Sequence, residues 1–177
     1  MASHEDLIIE ALGLSRTRVA RWCKTVDRTF LETLNRRKPK TMSKLADIWY
    51  GMQSRGESRT NHYNDSRYHM LNYHATFTKG TIEFRLFEFE APDENRQNGL
   101  HAGQLKSYIQ FCLALCQMAK TVTGASAIPQ QNENPKYAMR TWLLRLGFVG
   151  EEFKTARNVL TKKLSGDSSF RNGRQAA

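Results

Sequence analysis

No apolar run in the 177 residues approaches the roughly 18 that a membrane span requires, so the chain is not expected to cross a bilayer. Cysteine is scarce and odd in number: Cys23, Cys112 and Cys116. That count argues against a disulfide framework and for a reducing compartment, and so predicts the cytoplasm. The opening residues, MASHEDLIIE, are acidic before they are apolar, unlike a secretory signal. Several chemical signatures are missing as well. There is no GxxxxGK[ST] phosphate loop, no GxSxG nucleophile turn, no zinc-finger spacing and no aromatic RNA-binding signature. These absences remove the commonest nucleotide-binding, hydrolase and base-reading classes.

What is present is positive charge. Lys and Arg number 27 against 17 Asp and Glu, a net of +10. Residues 1–60 carry 12 against 7, residues 61–110 carry 5 against 6, and residues 111–177 carry 10 against 4. Arg21, Lys24 and Arg28 recur at a spacing that can share one helix face, and Arg36, Arg37, Lys38, Lys40 and Lys44 follow. These eight cations are the candidate polyanion-binding surface. Contact with a nucleic acid through them would be to backbone phosphates rather than to base edges.

The pattern predicts an α+β fold, mostly helical, with one small antiparallel β-hairpin or sheet at about residues 67–90 packed among helices. A single domain over 1–164 and a flexible tail over 165–177 are expected. Ser3 is read as the cap of a helix through Leu12, ended by Gly13. Ser15 and Asp27 cap the next two, with Trp22 and Cys23 facing inward, and Thr41 caps a helix stopped by Gly51. Residues 67–77 and 81–90 read as paired strands around a turn at Thr78, Lys79 and Gly80. Ile82, Phe84 and Leu86 would point to a core, with Glu83 and Arg85 on the other face. A long helix follows from Leu100 to Val122, its inward stripe read as Leu105, Tyr108, Ile109, Cys112, Leu113, Cys116 and Ala119. Asn134 and Pro135 start another helix, and residues 150–164 form the last.

Two clusters carry chemistry. His62, His69 and His74 lie close in sequence. The odd interval between the last two sends them to opposite sides of a strand, so no metal site is expected. Arg67, Asn72, Glu83 and Arg85 crowd one hairpin. That set suits an anionic ligand or a metal–nucleotide complex, with Arg for phosphate or carboxylate, Glu for a divalent ion and Asn for orientation.

The run SRYHMLNYHATFTKGTIEFRLFEF resembles the C-terminal signature of the amidoligase family, carboxylate–amine ligases of the glutamine-synthetase-like group. The stretches WCKTVDRTFLETLNRRKPKTMSKLADIWYG, GLHAGQLKSYIQ, YAMRTWLLRLG and EFKTAR are similar too. The resemblance implies that Arg67, Asn72, Glu83 and Arg85 line a pocket for ATP, Mg²⁺ and substrate, and that the reaction joins a carboxylate to an amine through an acyl phosphate. The family's acidic Gly-x-Glu-x-Glu strand and its Gly-His-x-His strand do not occur in this sequence, which matches a member from about its midpoint onward. An insertion, EFEAPDENRQNG, brings Glu88, Glu90, Asp93 and Glu94 to the mouth of the implied pocket, where they would repel phosphates.

The sequence is therefore read as a non-catalytic, basic binding or inhibitor protein derived from an amidoligase and carried on a phage or plasmid. Its expected partner is a nucleic acid or a nucleic-acid-bound protein, one concrete version being an anti-CRISPR inhibitor of an RNA-guided nuclease. No cofactor is expected under that reading, and an open sheet edge would allow self-association. The alternative is an ATP- and Mg²⁺-dependent amidoligase, or one subunit of it, with Glu83, Arg85, Arg67 and Asn72 catalytic.

Overall fold

The computed structural model describes residues 1–53, 56–89, 101–124 and 126–172. Its elements in chain order are α1 (Glu5–Leu12), α2 (Arg16–Arg21), α3 (Arg28–Arg37), α4 (Met42–Gln53), β1 (Leu71–Asn72), α5 (Tyr73–Lys79), β2 (Glu83–Phe84), α6 (Ala102–Thr121), α7 (Pro135–Arg145) and α8 (Lys154–Thr161). The fold is α+β and mostly helical, with one two-stranded antiparallel sheet among the described residues. Among the described residues no helix is long and apolar enough to cross a membrane. The chain divides into two compact units. One comprises Met1, Ser3–Gly13 and Phe87–Ala177, the other Ala2 with Leu14–Leu86.

In the first unit α8 packs against α6, α7 and α1, and α1 also meets α7. Leu7, Ile8, Ala11 and Leu12 of α1, Phe111 and Leu115 of α6, Met139, Trp142 and Leu143 of α7, and Ala156 and Leu160 of α8 are buried. Gly13 ends α1 in the left-handed region, at φ 63°, where a side chain would be strained. Lys163 donates to the Leu12 carbonyl at 3.0 Å, placing a cation at the negative end of the same helix. Asn134 caps α7 by accepting from Tyr137 N–H, with Pro135 in the first turn.

The second unit holds the site. Phe30 of α3 and Ala46, Ile48, Trp49 and Tyr50 of α4 form its buried centre, with Leu34, Tyr73 and Phe77 packed on it. Asp27 caps α3 through Thr29 N–H, Ser15 caps α2 through Arg18 N–H, and Thr41 accepts from Lys44 N–H. β1 pairs with β2 in the register Leu71 to Phe84 and Asn72 to Glu83. Just before β1, Lys24 forms a parallel bridge with His69. Three short segments are thus joined, and Arg85 N–H adds a bond to the Met70 carbonyl.

Several expectations are corrected. The first strand is not residues 67–77: β1 comprises Leu71 and Asn72, and Tyr73–Lys79 is helical. The aromatic-rich sequence suggested a strand, but Asn72 caps a helix by accepting from Ala75 N–H and Gly80 closes it at φ 69°. Tyr73 and Phe77, four apart, stack with centroids 6.4 Å apart. Ile82 and Trp22 are exposed, not inward, while Leu86 is fully buried. Ser3 does not cap α1. It lies in a 3₁₀ turn and bonds His4 Nδ1. α4 runs past Gly51 to Gln53. The buried face of α6 is Ser107, Tyr108, Phe111 and Leu115, whereas Leu105, Ile109 and Leu113 are exposed. The expected acidic loop at 91–99 lies outside the described residues.

Candidate functional site

The register of the small sheet sets Asn72 directly opposite Glu83. Asn72 is almost fully buried and uses both ends of its amide. Oδ1 accepts from Ala75 N–H at 3.2 Å, and Nδ2 donates to Glu83 Oε2 at 2.9 Å. Glu83 Oε1 accepts from Arg85 Nη1 at 2.7 Å. Arg85 Nε donates to the Trp22 carbonyl at 3.1 Å, and Arg18 Nη2 donates to the Arg85 carbonyl at 3.0 Å. The Arg85 side chain is only 18% exposed, so the ion pair with Glu83 is sheltered on the arginine side. Arg67 enters from the turn before β1, donating through Nη1 to the His62 carbonyl at 2.9 Å. Its Nε is buried and has no acceptor among the described residues.

The aromatic rings around the two guanidiniums are Tyr63 and Tyr68. Arg67 lies 5.5 Å from the Tyr63 centroid and 5.7 Å from that of Tyr68, and Arg85 lies 5.3 Å from Tyr68. Ring quadrupoles favour cations in such positions. For Glu83, burial pushes the carboxyl upward. The hydrogen bonds from Arg85 and Asn72 and the charges of Arg85 and Arg67 together outweigh it and hold the group below its ordinary value. The cluster therefore contains two cations and one anion, a local excess of positive charge.

A metal–nucleotide complex does not fit the described residues of this cluster. Glu83 is the carboxylate of the cluster, and both its oxygens already accept hydrogen bonds. Among the described residues no group of three His, Cys, Asp or Glu could hold a metal ion. Mg²⁺ requires a near-octahedral set of oxygens that this donor set does not supply. A lone carboxylate or phosphate fits better, since a guanidinium can hold either through paired N–H donors. Of the inserted acids, Glu90, Asp93 and Glu94 lie outside the described residues.

His69 and His74 are engaged elsewhere. His69 Nδ1 bonds the Ser66 carbonyl at 2.9 Å and its ring meets Trp49 edge-on, while His74 Nδ1 pairs with the Tyr50 hydroxyl at 2.6 Å. Burial lowers the pKa of both. Burial, and then the neighbouring Cys116, pushes the Cys112 thiol up to about 12, which keeps it protonated and unreactive.

The eight surface cations all lie in the second unit. Arg21, Arg28, Arg36, Arg37, Lys38, Lys40 and Lys44 are exposed, and Lys24 is half-buried. Arg21, Lys24 and Arg28 do not share one helix face, because α2 ends at Arg21, Lys24 joins the bridge to His69, and Arg28 opens α3. Arg36 and Arg37 close α3, and Lys38 caps it in the left-handed region at φ 43°. The aromatic neighbours Trp22, Tyr63 and Tyr68 could not be picked out from sequence as part of the site. Tyr63 and Tyr68 lie in irregular segments, where no periodicity marks them, and the helical pattern that reaches Trp22 reads it as inward. Separately, the first unit contains an open cleft of about 570 Å³ whose lining includes His4, Tyr137, Trp142, Arg145 and Arg171. Arg67, Asn72, Glu83 and Arg85 do not line it.

Residues 1–116 match the model of a family described as "Putative amidoligase enzyme". No curated protein and no solved structure matches the chain. The family match spans the whole second unit, all four residues of the arginine–glutamate cluster and most of α6, well over half of the sequence. The chain belongs to the amidoligase family.

Proposed function

We propose that the chain serves carboxylate–amine ligation, and that Arg67, Asn72, Glu83 and Arg85 form the part of such a site that holds an anionic group. The observation that carries this reading is the network that joins Asn72, Glu83 and Arg85 at 2.7–2.9 Å, with the charge of Arg67 acting on the same carboxylate and its buried Nε left unpartnered. In this reading Arg67 and Arg85 bind and orient a substrate carboxylate or phosphate. Glu83 fixes the Arg85 fork, and Asn72 fixes Glu83 while capping the helix behind it. These residues supply positioning and charge, which act strongly where water is excluded. ATP with Mg²⁺ is the phosphorylating group that the family implies. The donors for it are not in this cluster, so its ligands belong to other residues or to a second polypeptide.

The test is calorimetric titration of the full chain with pyrophosphate in the absence of Mg²⁺. Saturable binding that weakens at least about tenfold in Arg67→Ala and in Arg85→Ala supports the reading. No binding, or undiminished binding by both variants, overturns it.

A second reading has its own support. Residues 14–86 carry 15 Lys and Arg against 6 Asp and Glu, a balance of +9 out of the chain's +10. Such a surface attracts polyanions over long range. This is the reading of a basic binding module whose partner is a nucleic acid or a nucleic-acid-bound protein, an RNA-guided nuclease included. Fluorescence anisotropy with labelled duplex DNA at low salt tests it. Salt-sensitive binding supports it, and no detectable binding overturns it.

A further inference from the structure

We infer that the aromatic and arginine side chains gathered around Tyr68 form a stacking surface for the bases of a single-stranded nucleic acid. The inference deepens the second reading and rests on it for the long-range attraction. Its own basis is the arrangement of rings.

Trp22 is 45% exposed, although tryptophan buries more apolar surface than most side chains. Its ring meets Tyr68 edge-on, with centroids 5.3 Å apart at 80°. Arg85 lies over Tyr68, and Arg67 lies between Tyr68 and Tyr63. Tyr63 is 67% exposed, and His62 stands edge-on to it at 4.7 Å. Trp22, Tyr68, Arg67, Tyr63 and His62 thus form a continuous series of π faces and guanidiniums, all within the second unit.

Three features select the ligand. Flat rings accept any base by stacking, and guanidiniums stack on bases as well as pairing with phosphates. The balance of +9 over residues 14–86 favours a polyanion over a neutral or basic peptide. The Arg67 guanidinium, 5.5 Å from the Tyr63 centroid and 5.7 Å from that of Tyr68, sets a cation beside the rings. A duplex hides its base faces and cannot use the stacking surface, so the surface discriminates in favour of a single strand.

The chain contains three tryptophans, and Trp49 and Trp142 are buried, so exposed-indole fluorescence reports on Trp22. The probes are a short oligothymidylate, a duplex of the same length, and heparin. The surface predicts tighter binding of the single strand than of the duplex at equal salt, with quenching of tryptophan emission on saturation. Trp22→Ala and Tyr63→Ala should each weaken oligothymidylate binding at least about fivefold and leave heparin binding unchanged. Trp22→Phe should restore most of the loss, which separates stacking from a folding defect. Tyr63 is so exposed that its substitution is not expected to disturb folding. If single strand, duplex and heparin bind alike and neither alanine variant matters, the stacking inference falls while the polyanion reading stands. If none of the three binds, both fall.

Discussion

Asn72 shows how one buried side chain can fix a local structure and a polar network together. Its amide caps α5 and also holds Glu83. A lost cap costs about 1 kcal/mol. A lost hydrogen bond to a charged group costs about 1.5–3 kcal/mol. Asn72→Ala should therefore lower unfolding free energy by about 2–4 kcal/mol in urea titration, whereas a loss under about 1 kcal/mol would show that the network contributes little. His4 sets a pH dependence in the first unit. Its ring stacks on Trp142 at 4.1 Å, and burial, then the N-terminal ammonium and Arg145, lowers its pKa from 6.5 to about 4. The folded state favours the neutral ring, so the unfolded chain takes up the proton first as pH falls. Stability should be full above about pH 6.5 and decline toward about pH 4. His4→Phe should flatten that part of a melting-temperature profile, and an unchanged slope would remove His4 as its source.

At the scale of elements, what could be read from the sequence depended on whether one signal stood alone. The caps at Ser15, Asp27 and Asn134 are local hydrogen-bond chemistry, and each is where the residue type placed it. α5 was missed because two signals competed. Aromatic and β-branched residues suggested a strand, while Asn72 and Gly80 at its two ends marked a helix. The register of Asn72 with Glu83 was within reach of a hairpin reading, but the rings that surround Arg67 and Arg85 come from loops and were not. α6 failed for another reason. It is apolar on more than one face, so periodicity could not choose between the Leu105, Ile109 and Leu113 row and the Tyr108, Phe111 and Leu115 row. The fold buries the second row. Leu113, at 64% exposure, should tolerate Lys with a change within about 0.5 kcal/mol. Phe111→Ala, at a fully buried site, should cost about 3–5 kcal/mol. A large loss at Leu113 with little at Phe111 would mean that α6 buries the opposite face.

For the whole molecule, the division of charge is the leading feature. Along the sequence both the first and last thirds look basic. In the folded chain residues 1–13 and 87–177 carry 12 Lys and Arg against 11 Asp and Glu, so nearly all the excess sits on residues 14–86. Reversing Arg36, Arg37, Lys38 and Lys40 to acids should weaken polyanion binding and flatten the slope of log affinity against log salt, by about 0.9 for each phosphate no longer neutralised. An unchanged slope would identify these side chains as solvated surface. The family match covers all of residues 14–86, the stretch that also carries the exposed cations.

The central claim is that Arg67 and Arg85, with Glu83 and Asn72 beside them, form a prepared anion site. Arginine side-chain NMR during a pyrophosphate titration tests it most directly, because an anion held by the two guanidiniums changes the surroundings of their N–H groups. A prepared site predicts a saturable shift of the Arg67 and Arg85 Nε–H signals that is lost in Asn72→Ala under folded conditions. Signals that stay fixed while pyrophosphate binds elsewhere, or no binding at all, would contradict it.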